Sequence, residues 1–212
     1  MEKLEKLLEI IKTLRGENGC SWDKAQTIET LTNSLIEETY ELVDSIDEGN
    51  SENLREELGD LIFLSLFIAY IGTQEKRFSL DDVIDGVNEK LIRRHPHVFG
   101  DLKEKDIKNI LRNWESIKSR EKKSRKTIYE AIPKRLPEIH RFFKIMDKLS
   151  RNGEKFEEID EKNLSEDFKK AISMKDEKSF ISFLKSFLIF CYLNKIDLPY
   201  LIRKSEKFLV KN

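Results

Sequence analysis

Glu37-Glu38-x-x-Glu41 and Glu57-x-x-Asp60 place five carboxylates on two neighbouring apolar segments. At helical pitch, residues three or four apart share a face, so each cluster projects its acids to one side. Leu35, Glu38, Leu42 and Ile46 follow the spacing of a core-facing stripe, as do Leu54, Glu57, Leu61 and Leu64, so acids are expected where core residues belong. Ionised carboxylates drawn out of water cost several kcal/mol each unless paired or bound to metal. The chemistry this spacing predicts is a divalent-cation site between two helices; the alternatives are solvated acids or partners in Lys and Arg ion pairs. An all-oxygen ligand set without nitrogen or sulfur suits Mg²⁺ or Mn²⁺ and disfavours zinc. A di-iron bundle would need Glu-x-x-His pairs, and neither segment holds a histidine.

A second constellation is cationic. Lys90, Arg93 and Arg94 stand at three- and four-residue spacing, as a phosphate clamp requires: arginine grips phosphate oxygens with two donors and lysine adds a point charge. Ion pairing with Asp85 or Glu89 is the competing reading. In His95-Pro96-His97 the proline favours a helix-terminating turn over a metal site. Trp114 lies on an amphipathic helix, where a core or interface role is the default, and Trp22 with Asp23 is read as a loop anchor rather than a lid.

The elements that must position these groups are helices. Charged residues make up 37% and hydrophobic residues 39% of the 212, with only eight Gly and four Pro, the balance of amphipathic helices and an all-α fold. A net charge of -1 supplies no global field toward nucleic acid or membrane. Two cysteines make no disulfide framework, no secretory leader is recognised, and the apolar run Phe180 to Leu193 is too short for a membrane helix, so a cytoplasmic protein is expected. Periodicity and caps predict helices from residue 2 to about 15, from a Thr27 cap to about 47, from a Ser51 cap to about 71, and from a Ser79 cap to Pro96, with Gly16 to Trp22 a loop. A helix over 104–119 precedes the charge run Ser119 to Lys126, where a domain boundary is placed. Further helices are expected near 136–151, 163–174, 177–193 and 197–210.

Taken together, Leu14-Arg-Gly-Glu-Asn-Gly-Cys-Ser-Trp-Asp-Lys-Ala-Gln-Thr27, the two acidic clusters and Asn88-Glu-Lys-Leu-Ile-Arg-Arg-His-Pro-His-Val-Phe-Gly100 resemble the MazG family of nucleoside triphosphate pyrophosphohydrolases. The resemblance covers residues 1–120. It implies an all-α helical bundle assembled as a homodimer, and Mg²⁺-dependent cleavage of a nucleoside triphosphate to the monophosphate and pyrophosphate. It makes Glu38, Glu41, Glu57 and Asp60 metal ligands, leaves Glu37 beside them as general base or water-orienting group, and places Trp114 in the nucleotide pocket. Neither a nucleic acid nor a membrane is expected as a partner. Ser21 departs from the proline usual after the loop cysteine. Residues 127–212 resemble a degenerate second copy, Phe187-Leu-Ile-Phe190 echoing Asp60-Leu-Ile-Phe63, with apolar or neutral residues where the acids of the first copy stand and only Glu166-Asp167 faintly echoing Glu37-Glu38. Two-domain members need not keep activity in the first domain, so the rival expectation is a nucleotide sensor with poor turnover.

Overall fold

The computed structural model describes residues 2–121, 130, 132–151, 153–154 and 156–205, which form helices joined by turns, with no strand among them. Eleven helices follow in order: α1 Glu2–Arg15, α2 Ser21–Ala25, α3 Thr32–Glu48, α4 Ser51–Gln74, α5 Leu80–Arg94, α6 Pro96–Phe99, α7 Ile107–Glu121, α8 Glu138–Arg151, α9 Glu161–Met174, α10 Glu177–Leu193 and α11 Leu198–Ser205. The all-α expectation holds. Of the terminal helix expected to residue 210, the part after Ser205 lies outside the described residues, as does most of the charge run before residue 130.

Two compact units divide the chain, Met1–Glu104 and Lys105–Asn212. The division falls ahead of α7, whereas the sequence-based one falls after it. In the first unit, α3 and α4 form an antiparallel hairpin on which α1 lies. Ile11, Leu31, Leu64, Phe67 and Ile71 make its buried core, flanked by Leu7, Ile28, Leu35 and Phe63. Burying a side chain of this size contributes about 1.5–3 kcal/mol each. Gly72 lets Phe78 fold back on α4, since a Cβ there would lie 2.4 Å from the Phe78 ring.

The caps explain where the hairpin turns. Gly49 adopts a left-handed φ of 68°, its N–H donates to Ile46 O, and the Asn50 N–H donates to Ser45 O, which closes α3 in a Schellman motif. Asn50 then caps α4 by accepting from the N–H groups of Glu52 and Asn53, so the cap is Asn50 and not the expected Ser51. Ser79 and Asp82 form a reciprocal capping box at α5, as the sequence indicated. Pro96 ends α5 and opens the single turn of α6.

One expectation fails in the early loop. Residues 21–25 form the short helix α2, and α3 begins at Thr32 rather than after Thr27. Thr27 and Thr30 spend their hydroxyls on each other's backbone N–H groups, a local alternative that holds a turn instead of starting a helix.

In the second unit α9 and α10 form another hairpin, against which α8 packs. Met146, Ile159 and Ile189 are buried in one cluster and Leu188, Cys191 and Leu198 in another. Lys175 holds the left-handed position between α9 and α10 at φ 54°, and Asp176 accepts from Ser179 N–H to cap α10.

Candidate metal centre

Glu38 and Glu41 stand one turn apart on α3, and Glu57 faces them from the first turns of α4. Their carboxylates can each offer an oxygen within 4.8 Å of the other two. The helical spacing supplies one side of the site and the tight hairpin supplies the other. Asp60 and Glu37 are not part of this convergent trio, although both lie close enough for their charges to act on Glu38.

Burial is shallower than the stripe pattern implied. Glu38 and Glu57 are half-buried, Glu41, Asp60 and Glu37 are exposed, and Ile46, expected to face the core, is also exposed. The acids therefore sit on a half-exposed face of the hairpin rather than replace core residues.

The electrostatics still report crowding. Loss of hydration first, then the charges of Asp60, Glu41, Glu57 and Glu37, push the Glu38 carboxyl above its ordinary value. Glu57 is raised by lost hydration and by Glu41, Glu56 and Asp60, and a hydrogen bond with Glu38 pulls it partly back. No cationic side chain contributes to either shift. A cluster that raises its own proton affinity and draws on no Lys or Arg has the donor set of a hard-cation site, so the residues present fit Mg²⁺ or Mn²⁺.

Lys90, Arg93 and Arg94 occupy the last turns of α5, which packs beside α4. Lys90 and Arg94 are half-buried and Arg93 is exposed. A helix-terminating turn is found at His95-Pro96-His97, where the His95 Nδ1–H donates to Leu91 O at 2.6 Å, a contact that occupies that ring nitrogen. Trp114 lies on α7 in the second unit, half-buried, with the Lys118 ammonium 4.2 Å above its ring.

The early loop is anchored by a residue that sequence reasoning passed over. Arg15 donates from Nη1 to Asp23 O at 2.5 Å and to Gln26 O at 3.0 Å, and from Nε to Gln74 Oε1 at 2.6 Å. Its guanidinium also sits 5.4 Å from the Phe67 ring centroid. Asp23 is buried, but Trp22 is 64% exposed, so the indole does not anchor the loop. Only the position of Arg15 at the end of an amphipathic helix, next to a Gly-rich turn, could have signalled this clasp.

Residues 26–99 match the family model described as the MazG nucleotide pyrophosphohydrolase domain. Over 156 residues the chain is 40% identical to the nucleoside triphosphate pyrophosphohydrolase of Escherichia coli K12, covering 72% of this chain and 59% of that protein. Over 123 residues it is 47% identical to the nucleoside triphosphate pyrophosphohydrolase/pyrophosphatase MazG of Thermotoga maritima, covering 58% of this chain and 47% of that one. It thus spans about half the length of these curated relatives. A crystal structure of a mazG-related protein from Thermotoga maritima aligns with a TM-score of 0.48 at 32% identity, over 54% of this chain and 98% of that one.

Proposed function

The chain belongs to the MazG family, and from that premise we propose that it is a Mg²⁺-dependent hydrolase cutting nucleoside triphosphates to the monophosphate and pyrophosphate. The observation that carries this reading is the convergence of Glu38, Glu41 and Glu57 across the α3–α4 hairpin, inside the matched residues. Those three, with Asp60 beside them, would hold the cation. Mg²⁺ bound there would supply charge screening for the polyphosphate and acidify an attacking water.

The other roles fall to the chain's own side chains. Glu37, exposed on the same turn of α3, accepts a proton from the attacking water or orients it toward the α-phosphorus. Lys90, Arg93 and Arg94 neutralise the β- and γ-phosphates and the departing pyrophosphate. Residues 1–120 carry this machinery, and residues 127–212 are a copy that has lost its metal ligands.

The reading includes a homodimer. Val83, Ile84, Val87 and Leu91 form an apolar stripe along α5 with each residue more than a third exposed, and Ile36, Tyr40, Leu58 and Ile62 are similarly open on α3 and α4. Apolar surface on this scale favours a second copy as cover. Among the described residues no single helix is long and apolar enough to cross a membrane, and Cys20 and Cys191 are unpaired, in keeping with a reducing cytoplasm.

A panel of nucleoside triphosphates incubated with Mg²⁺, with monophosphate, pyrophosphate and phosphate measured separately, tests the reaction. Monophosphate and pyrophosphate in equal amounts are expected. Phosphate as the first product, or no turnover with any substrate, overturns the proposal; Mg²⁺-dependent binding without turnover would make the chain a nucleotide sensor.

A further inference from the structure

The net charge of -1 conceals two large and opposite charges. Residues 1–104 carry 12 basic and 23 acidic side chains and residues 105–212 carry 27 and 17, so the first unit stands at -11 and the second at +10. An excess of one sign over a whole unit draws ligands of the other sign to it.

In the second unit the excess gathers on one helix face. Ile139, Phe142, Phe143 and Met146 turn one side of α8 into the buried clusters. Arg141, Lys144, Lys148 and Arg151 recur at spacings of three, four and three residues, which aligns them on the opposite side over about 15 Å of helix axis. Both ends of the row are held. Arg141 Nη1 donates to Pro133 O at 2.9 Å, which fixes beside it the turn carrying the exposed Lys134 and Arg135. At the other end Arg151 Nη1 donates to Glu115 Oε1 on α7 at 2.5 Å, across 36 residues of sequence, and Arg151 Nη2 lies 4.0 Å from Asp147 Oδ2. Among the described residues no carboxylate pairs with Lys134, Arg135, Arg141 or Lys144. Lys148 and Arg151 lie in the last turn of α8, where cations complement the helix dipole, but that effect fades within a turn and leaves Arg141 and Lys144 without such a role.

A row of cations about 4.5 to 6 Å apart along an axis matches a linear polyanion better than a single small anion. A lipid surface fits less well, because an interfacial helix inserts its apolar side and that of α8 is already spent in the core. We propose that the outer face of α8, with the turn at Lys134 and Arg135, binds the phosphate backbone of nucleic acid without reading its bases. The row consists of Lys and Arg alone, groups that position phosphates and carry no sequence information. The expectation drawn from the charge of the whole chain is thereby reversed for its second unit, and the inference is independent of the reaction proposed for the first.

The test is fluorescence anisotropy of the full chain with labelled mixed-sequence oligomers of about 20 nucleotides, as single-stranded DNA, single-stranded RNA and duplex DNA. Divalent cations are left out, so that no metal-bound phosphate is held by the carboxylates of the first unit. Dissociation constants of about 1–100 μM at 50 mM salt are expected, with log K falling against log salt at a slope of about -2 to -4. Lys134→Glu combined with Lys144→Glu, both exposed, should weaken binding at least about 10-fold and flatten that slope by about 1 to 2. Lys169→Glu combined with Lys170→Glu makes the same change of charge at exposed positions on α9 and should cost less than about threefold. No binding of any oligomer at 50 mM salt, or equal losses from the two pairs, overturns the site. Displacement of the oligomer by polyglutamate at equal charge concentration, or capture of phosphatidylserine vesicles while oligomers stay free, assigns the face to another polyanion and overturns the proposal.

Discussion

The hairpins α3–α4 and α9–α10 turn through equivalent pairs of caps, a left-handed residue closing the first helix and a side-chain acceptor opening the second: Gly49 with Asn50, Lys175 with Asp176. Counting outward from those caps aligns the two without any appeal to sequence similarity. Glu38 and Glu41 then stand where the second hairpin has Leu164 and Asp167, and Glu57 and Asp60 where it has Phe183 and Ser186. The acid at this register position has a partner of its own. Asp167 accepts a 2.5 Å hydrogen bond from the buried Ser186 hydroxyl, and Leu164 packs against the apolar core beside it. Where one hairpin holds a crowded set of like charges, the other holds a satisfied polar pair with apolar neighbours. The same pair of caps thus carries a crowded acidic cluster in one hairpin and a self-sufficient core in the other.

That contrast is broken most severely by removing the acids. Single changes of Glu38, Glu41, Glu57 or Asp60 to Ala should lower turnover at least about 100-fold, on the scale of disturbed metal-site interactions. Asp167→Ala should leave turnover within about twofold. Steady-state kinetics at saturating Mg²⁺ checks both, and equal losses from the two hairpins would end the division of labour. On the cationic side, Arg93→Ala or Arg94→Ala should weaken triphosphate binding about 10- to 100-fold, the worth of a hydrogen bond to a charged group, while Mg²⁺ binding without nucleotide is unchanged. Calorimetric titration of each ligand separately distinguishes these.

The contrast also predicts opposite signs for stability. Asp167→Ala leaves the Ser186 hydroxyl buried without its partner and should cost about 1–3 kcal/mol. Glu38→Ala or Glu57→Ala relieves repulsion, so the metal-free thermal midpoint should hold or rise. The same repulsion has a pH signature. Because Glu38 and Glu57 bind protons more readily folded than unfolded, the stability they contribute is full below the ordinary glutamate value of 4.5 and is lost as pH rises through their higher folded values. The metal-free midpoint should therefore fall over that window in the parent and fall less in Glu38→Gln, and added Mg²⁺ should offset the loss at neutral pH. Scanning calorimetry across pH, with and without the ion, reads all three.

Much of this was legible because periodic apolar residues and caps act locally. The Gly49 stop, the Ser79 cap and the stretch closed by Pro96 each depend on residues within one turn, so helices α1, α3, α4 and α5 could be placed to within a few residues, apart from the start of α3. The acid trio was legible too, since its spacing lies within two adjacent helices. What escaped depends on tertiary partners. Thr27 reads as a cap until Thr30 claims it; Trp22 reads as an anchor until Arg15 reaches the loop from α1 and α4. The equivalents of the second-hairpin acids could not be fixed either. The echo of Asp60-Leu-Ile-Phe63 at Phe187 to Phe190 runs one residue off the register set by the caps, which pairs Asp60 with Ser186 and Tyr40-Glu41 with Glu166-Asp167. The Arg151 to Glu115 contact spans 36 residues and obeys no periodic pattern.

The smallest effect bears on the cap itself. Gly49 and Lys175 share the left-handed region, at φ 68° and 54°, but only glycine occupies it without crowding its own Cβ against the following carbonyl, a cost of roughly 1–2 kcal/mol for an ordinary side chain. Lys175→Gly relieves that cost, yet glycine gains more freedom in the unfolded chain, which returns about 0.4–1 kcal/mol. The net expectation is a gain of up to about 1 kcal/mol, read from denaturant unfolding of the full chain. Gly49→Lys should lose a similar amount from the first hairpin. Because the cap lies about two to three turns from Glu38, Glu41 and their counterparts, neither exchange should alter Mg²⁺ affinity. A change in that affinity after Gly49→Lys would mean that the turn sets the distance between the facing acids, and that the caps of the two hairpins are not interchangeable.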